Sequence, residues 1–142
     1  MGNPYQVLLP TDEALEDIAK LGYRIEAVHQ ASRYPSPNEL RTVLDALENC
    51  TVHYSVSTNS WVADVAVIDE ITPSDSHVMV VGYRGDENAP HKFFFEKGAT
   101  DLNLHILYRI TKICGPLVLV PQIGRPLLVT PDAPEDALVP QT

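Results

Sequence analysis

The chain has 142 residues, 44% of them hydrophobic, and 19 acidic against 10 basic side chains give it a formal net charge of -9. That size and composition suit one globular domain, and the acidity argues against DNA or RNA as a partner, since nucleic acids select basic surfaces. No apolar run approaches the roughly 20 residues that span a bilayer, and Met1 to Pro10 has neither a basic start nor a small-residue cleavage site, so neither a membrane anchor nor a signal peptide is expected.

Tyr5 to Leu9 suits a short strand or an extended arm, stopped by Pro10. Thr11 is a helix N-cap candidate, followed by Asp12, Glu13, Glu16 and Asp17, which oppose the positive end of a helix dipole. Leu15, Ile18, Gly22 and Ile25 keep helical spacing. Gly22 can also end the helix and leave Tyr23 to Val28 as a strand; the continued helix is the favoured expectation. Ser36-Pro37-Asn38-Glu39 carries a Ser cap, Pro at the first helical position and Glu three residues after the cap, a capping box. Leu40, Val43, Leu44 and Leu47 then form an apolar stripe, with the helix expected to end near Asn49.

Four strands follow. Thr51 to Ser57 alternates polar and apolar residues, and Trp61 to Asp69 follows a short polar break at Thr58-Asn59-Ser60. With Thr58 and Asn59 at the turn, Ser57 pairs with Ser60, and Val56, Tyr54 and Val52 lie opposite Trp61, Ala63 and Val65. The same register sets His53 across from Asp64 on the other face. His77 to Tyr83 is nearly all apolar, as in a strand covered on both faces, and His91 to Glu96 carries three phenylalanines. An antiparallel meander is the simplest arrangement.

Gly98-Ala99-Thr100 leads into a helix, Asp101 to Cys114, with Leu102, Ile106, Ile110 and Ile113 on its buried face and Gly115-Pro116 as its stop. Leu117 to Val120 and Pro126 to Thr130 form a last hairpin, and prolines at both shoulders suggest edge strands. Residues 131–142 combine proline with Asp132, Glu135 and Asp136, the composition of a mobile acidic tail. The fold class expected is α+β: a mainly antiparallel sheet, a four-strand meander plus a C-terminal hairpin, with helices packed on one face. Residues 1–130 form the domain.

Few residues point to chemistry. His29, His53, His77, His91 and His105 show no metal-ligand spacing, and zinc needs about four converging ligands. Cys50 and Cys114 are far apart and suit free thiols of a cytoplasmic protein. There is no G-x-S-x-G elbow and no phosphate-cradling glycine loop, so neither a catalytic residue nor a cofactor is expected. Arg84-Gly85-Asp86 and Asn49-Cys50-Thr51 match short extracellular motifs that carry meaning only after secretion. No motif covers enough of the chain to assign a family.

Two functional expectations stand. The first is a non-enzymatic protein–protein interaction module, in its most concrete form a small acidic inhibitor or immunity-type protein. It would bind a basic partner through Asp12, Glu13, Glu16 and Asp17, without nucleic acid or membrane. The second is a small-ligand-binding protein or enzyme with a pocket around His53, Asp64 and Trp61. The partner's identity and homo-oligomerisation stay open.

Overall fold

The computed structural model describes residues 5–10, 16, 20, 32–48, 50–67, 77–98, 100–121 and 127–131. Within them lie seven strands and two helices: β1 (Tyr5–Leu8), α1 (Pro37–Asp45), β2 (Cys50–Val56), β3 (Ser60–Val67), β4 (His77–Tyr83), β5 (Phe93–Gly98), α2 (Thr100–Cys114), β6 (Leu117–Pro121) and β7 (Leu127–Val129). The strands make one sheet in the order β2-β3-β4-β5-β1-β6-β7, and every pairing is antiparallel. This is an α+β fold. The expected meander is there, β2 through β5, and the expected C-terminal hairpin is β6–β7.

The register of the first hairpin follows its turn. Ser57 N–H donates to Ser60 O at 2.9 Å, and Val52, Tyr54 and Val56 sit opposite Val65, Ala63 and Trp61. Odd-numbered β3 residues then point into the core, and Trp61, Ala63 and Val65 are all buried. Across the sheet the same face carries Val80, Phe93, Phe95, Val7 and Leu119, and both helices pack on it through Leu40, Leu44, Ile106 and Ile110. A smaller apolar cluster, Val118 with Leu8, Val120 and Leu128, lies on the reverse face.

Of the two readings of Tyr5 to Leu9, the short strand holds: β1 lies between β5 and β6 and its Val7 is fully buried. Two expectations need correction. Proline at the β6 shoulder does not make β6 an edge: it pairs with β1 on one side and β7 on the other. Pro121 stands at the end of the strand, where a missing N–H disturbs little of the ladder. In α2, Ile113 stays 43% exposed in the last turn, and Leu107 and Cys114 join the buried stripe instead. The strand β4 is buried on both faces in its middle, at Val78 and Val80 on the helix face and at Val81 on the other, while Tyr83 at its end is 44% exposed. Of the expected amino-terminal helix only Glu16 and Lys20 are described, and both are helical; Tyr23 to Val28 and the tail beyond Pro131 lie outside the described residues.

Both helices end by recognisable local chemistry. Glu39 N–H donates to Ser36 Oγ at 3.1 Å, and Ser36 N–H donates to Glu39 Oε1 at 3.0 Å, so the capping box closes in both directions. The stripe Leu40, Val43, Leu44 and Leu47 is buried as its spacing requires. The helix stops at Asp45 with Ala46 as its C-cap, short of Asn49. In α2, Gly115 takes φ 83 and its N–H donates to Thr111 O at 2.8 Å, the left-handed cap that glycine adopts without strain.

Arg33 grips the Glu39 carboxylate with both terminal nitrogens, at 2.7 and 2.8 Å. This hydrogen-bonded pair, with help from the Ser36 backbone, holds the Glu39 carboxyl down at about 2. A carboxylate whose folded pKa is depressed adds stability above its unfolded value of about 4.3, and the gain disappears as pH falls through the folded one. Glu39→Gln should therefore cost about 1 kcal/mol at pH 7 after allowance for the pair's partial exposure, and almost nothing near pH 2. Urea denaturation of both proteins across that pH range checks it, and an equal cost at both ends would contradict it.

Candidate functional site

His53 and Asp64 are direct cross-strand partners. They point away from the helices; His53 is exposed and Asp64 half-buried. Trp61 faces the other way, 4% exposed in the core. The sheet thus separates Trp61 from the other two, and the three do not line one pocket. Of the acidic residues expected to meet a partner, Glu16 is exposed, and Asp12, Glu13 and Asp17 fall outside the described residues. Among the described residues no group of three or more His, Cys, Asp or Glu side chains converges for a metal ion. No helix among them is long and apolar enough to cross a membrane.

Trp61 anchors α1 to the meander. Its indole lies against Gly82 on β4, where a Cβ would fall 2.6 Å from Nε1 and closer still to two ring carbons. The Arg41 guanidinium sits 5.6 Å from the ring centroid and also pairs with Glu87 at 3.0 Å. Tyr54 meets the indole at a ring distance of 6.2 Å. The Tyr54 hydroxyl donates to Asp45 Oδ1 at 2.7 Å, and burial, together with that carboxylate, pushes the phenol's pKa up. Two cavities lie elsewhere. An open groove of about 460 Å³ runs between the helices, lined by Thr42, Val43, Ala46, Tyr108, Arg109 and Lys112. A smaller one of about 250 Å³ is lined by Gln6, Tyr83, Lys92, Phe93 and Phe94. Neither includes His53 or Asp64.

The most distinctive exposed feature is a backbone rather than a pocket. In an antiparallel strand, alternate residues turn both N–H and C=O to the same neighbour. Because Ser57 bonds to Ser60, Ser55, His53 and Thr51 bond inward to β3, and Val52, Tyr54 and Val56 turn their backbone groups outward. Among the described residues β2 pairs with β3 alone and ends the sheet. Tyr54 is 39% and Val56 66% exposed.

Sheets commonly guard such an edge with lysine, proline, a bulge or a very short strand. β2 has none of these: seven residues, CTVHYSV, in unbroken register. Asp45, Glu48 and Asp64 flank it with negative charge. Sequence reasoning missed this site although its signal is in the chain, a run from Cys50 to Val56 without proline, glycine, lysine or a carboxylate.

No family model matches the chain, and no curated protein or solved structure matches it. The site has to speak through its own chemistry.

The tight seat of Trp61 makes one prediction. Gly82→Ala should destabilise the fold by about 1–3 kcal/mol, because backbone on one side and a large ring on the other leave the methyl no room. It should also shift the emission of Trp61, the single tryptophan, to longer wavelength. Unchanged denaturation and emission would mean that the indole does not rest on Gly82.

Proposed function

We propose that the protein is a non-enzymatic interaction module that receives an extended, basic segment of another protein along β2. The observation that carries this reading is the edge itself, where the backbone groups of Val52, Tyr54 and Val56 are turned outward and, among the described residues, no further strand pairs with them. A segment added there would gain main-chain hydrogen bonds, and its alternate side chains would be read by the two faces. On the helix face, Val52, Tyr54 and Val56 offer apolar and aromatic surface. On the other face, Thr51, His53 and Ser55 offer polar contacts beside Asp64.

Charge supplies the partner's sign. A net charge of -9 attracts basic chains before contact and raises the association rate. In this proposal Asp12, Glu13, Glu16 and Asp17 serve that steering, and β2 supplies the docking. A small acidic inhibitor or immunity-type protein working in the cytoplasm fits these properties. The free thiols of Cys50 and Cys114 agree with such a setting.

A peptide of alternating valine and lysine, as long as β2, is a direct probe. It should bind with a change in Trp61 emission, relayed through Tyr54, and its affinity should fall steeply as salt shortens the Debye length. Val56→Pro, which deletes one outward N–H, should weaken binding about tenfold while leaving the circular dichroism unchanged. Equal binding by the proline variant would place the peptide somewhere other than β2.

A further inference from the structure

We infer that β2 also pairs with β2 of a second copy of this chain, antiparallel and two-fold, with His53 on the symmetry axis. The inference rests on the same edge being open, and adds that the chain is its own competitor for that edge.

The geometry begins with parity. His53 is the midpoint of Cys50–Val56, so a two-fold through it is the arrangement in which all seven residues overlap. In that register Val52 meets Tyr54 of the second copy, Cys50 meets Val56, and Thr51 meets Ser55. Val52, Tyr54, Val56 and Cys50 are the residues whose backbone groups turn outward, so the Val52–Tyr54 and Cys50–Val56 pairs exchange N–H and C=O bonds in both directions. His53 meets its counterpart at a non-hydrogen-bonded position.

Side chains agree with this register on both faces. Valine and cysteine meet tyrosine and valine on the helix face, and threonine meets serine on the other. A strand whose two halves match under reversal is suited to its own copy, since a closed two-fold contact needs a self-complementary patch. A shift by one residue would put His53 opposite Tyr54 and set inward-bonding residues against outward-bonding ones, and a shift by two would put His53 opposite Ser55 and leave end residues unpaired. The sheets would join into one continuous layer with the helices of both copies on the same side.

Charge opposes this contact. Each copy carries a charge of -9, and Asp45, Glu48 and Asp64 flank the edge. Within β2 itself there is no acidic group, so the repulsion acts over distance and is screened by salt. Self-pairing should therefore tighten as salt rises, opposite in sign to the binding of a basic strand at the same edge.

Sedimentation equilibrium over a range of protein and salt concentrations is the test. The wild-type chain should show a weak dimer that strengthens with salt. Thr51→Lys with Ser55→Lys puts lysine opposite lysine across the axis and should weaken the dimer by about tenfold or more. Thr51→Glu with Ser55→Glu should do the same. Both positions are exposed, so both variants should keep their circular dichroism. Mixed in equal amounts, the two should associate again, because lysine then faces glutamate. A wild-type chain that stays monomeric, variants that still dimerise alone, or a mixture that does not associate would each overturn the inference. A monomer that still binds the valine–lysine peptide overturns self-pairing and leaves the proposed function standing. A dimer through β2 that ignores the peptide does the reverse.

Discussion

The register of the β2–β3 hairpin is the constraint on which the rest of the structure depends. It is pinned at Ser57 and Ser60, by the backbone bond between them and by their hydroxyls 2.8 Å apart. Arg84 reinforces it from the next loop: its side chain donates to Ser57 O at 3.1 Å, and its N–H donates to Asn59 O at 3.0 Å. A slip of one residue would turn Trp61, Ala63 and Val65 out of the core. It would also exchange the inward and outward backbone groups of β2, so core and interaction edge are set by the same few bonds.

From that register follows the attachment of α1. Trp61 points at the helix layer, rests on Gly82 and meets Arg41, while Tyr54 reaches Asp45. The helix is tied at its other end as well, since Asn38 N–H donates to Glu87 O and His91 N–H donates to Pro35 O. These contacts hold α1 over β3 and β4, and among the described residues the outer side of β2 has no partner strand. Tyr54 has a double role: its ring and hydroxyl bind the helix, while its backbone faces away from the sheet. An edge held this rigidly loses little conformational freedom when a strand joins it, which favours docking over rearrangement.

Much of this was legible in the sequence, and the limits are instructive. The alternation of Thr51 to Ser57 and the turn at Thr58-Asn59 were enough for the hairpin register, because both are local. The capping box at Ser36 and the glycine cap at Gly115 were local too. The place of β1 between β5 and β6 depends on pairings nearly a whole chain length apart, and periodicity carries no information on those. Strand order also decides which strand ends the sheet, so the exposure of Val56 could not be read from its own neighbours. Proline near Leu117 to Val120 misled for a related reason: its effect depends on whether it stands inside the ladder or at its end. The pocket reading of His53, Asp64 and Trp61 joined residues that alternation itself assigns to opposite faces.

Hydrogen exchange resolved residue by residue tests the open edge most directly. In dilute protein at low salt, the amides of Thr51, His53 and Ser55 should be protected by β3, and those of Val52, Tyr54 and Val56 should exchange like open chain. Raising the protein concentration and salt, or adding the valine–lysine peptide at low salt, should protect the second set without altering the first. Strong protection of Val52, Tyr54 and Val56 in the dilute protein would show that the edge is already covered, and would contradict both proposed uses of it.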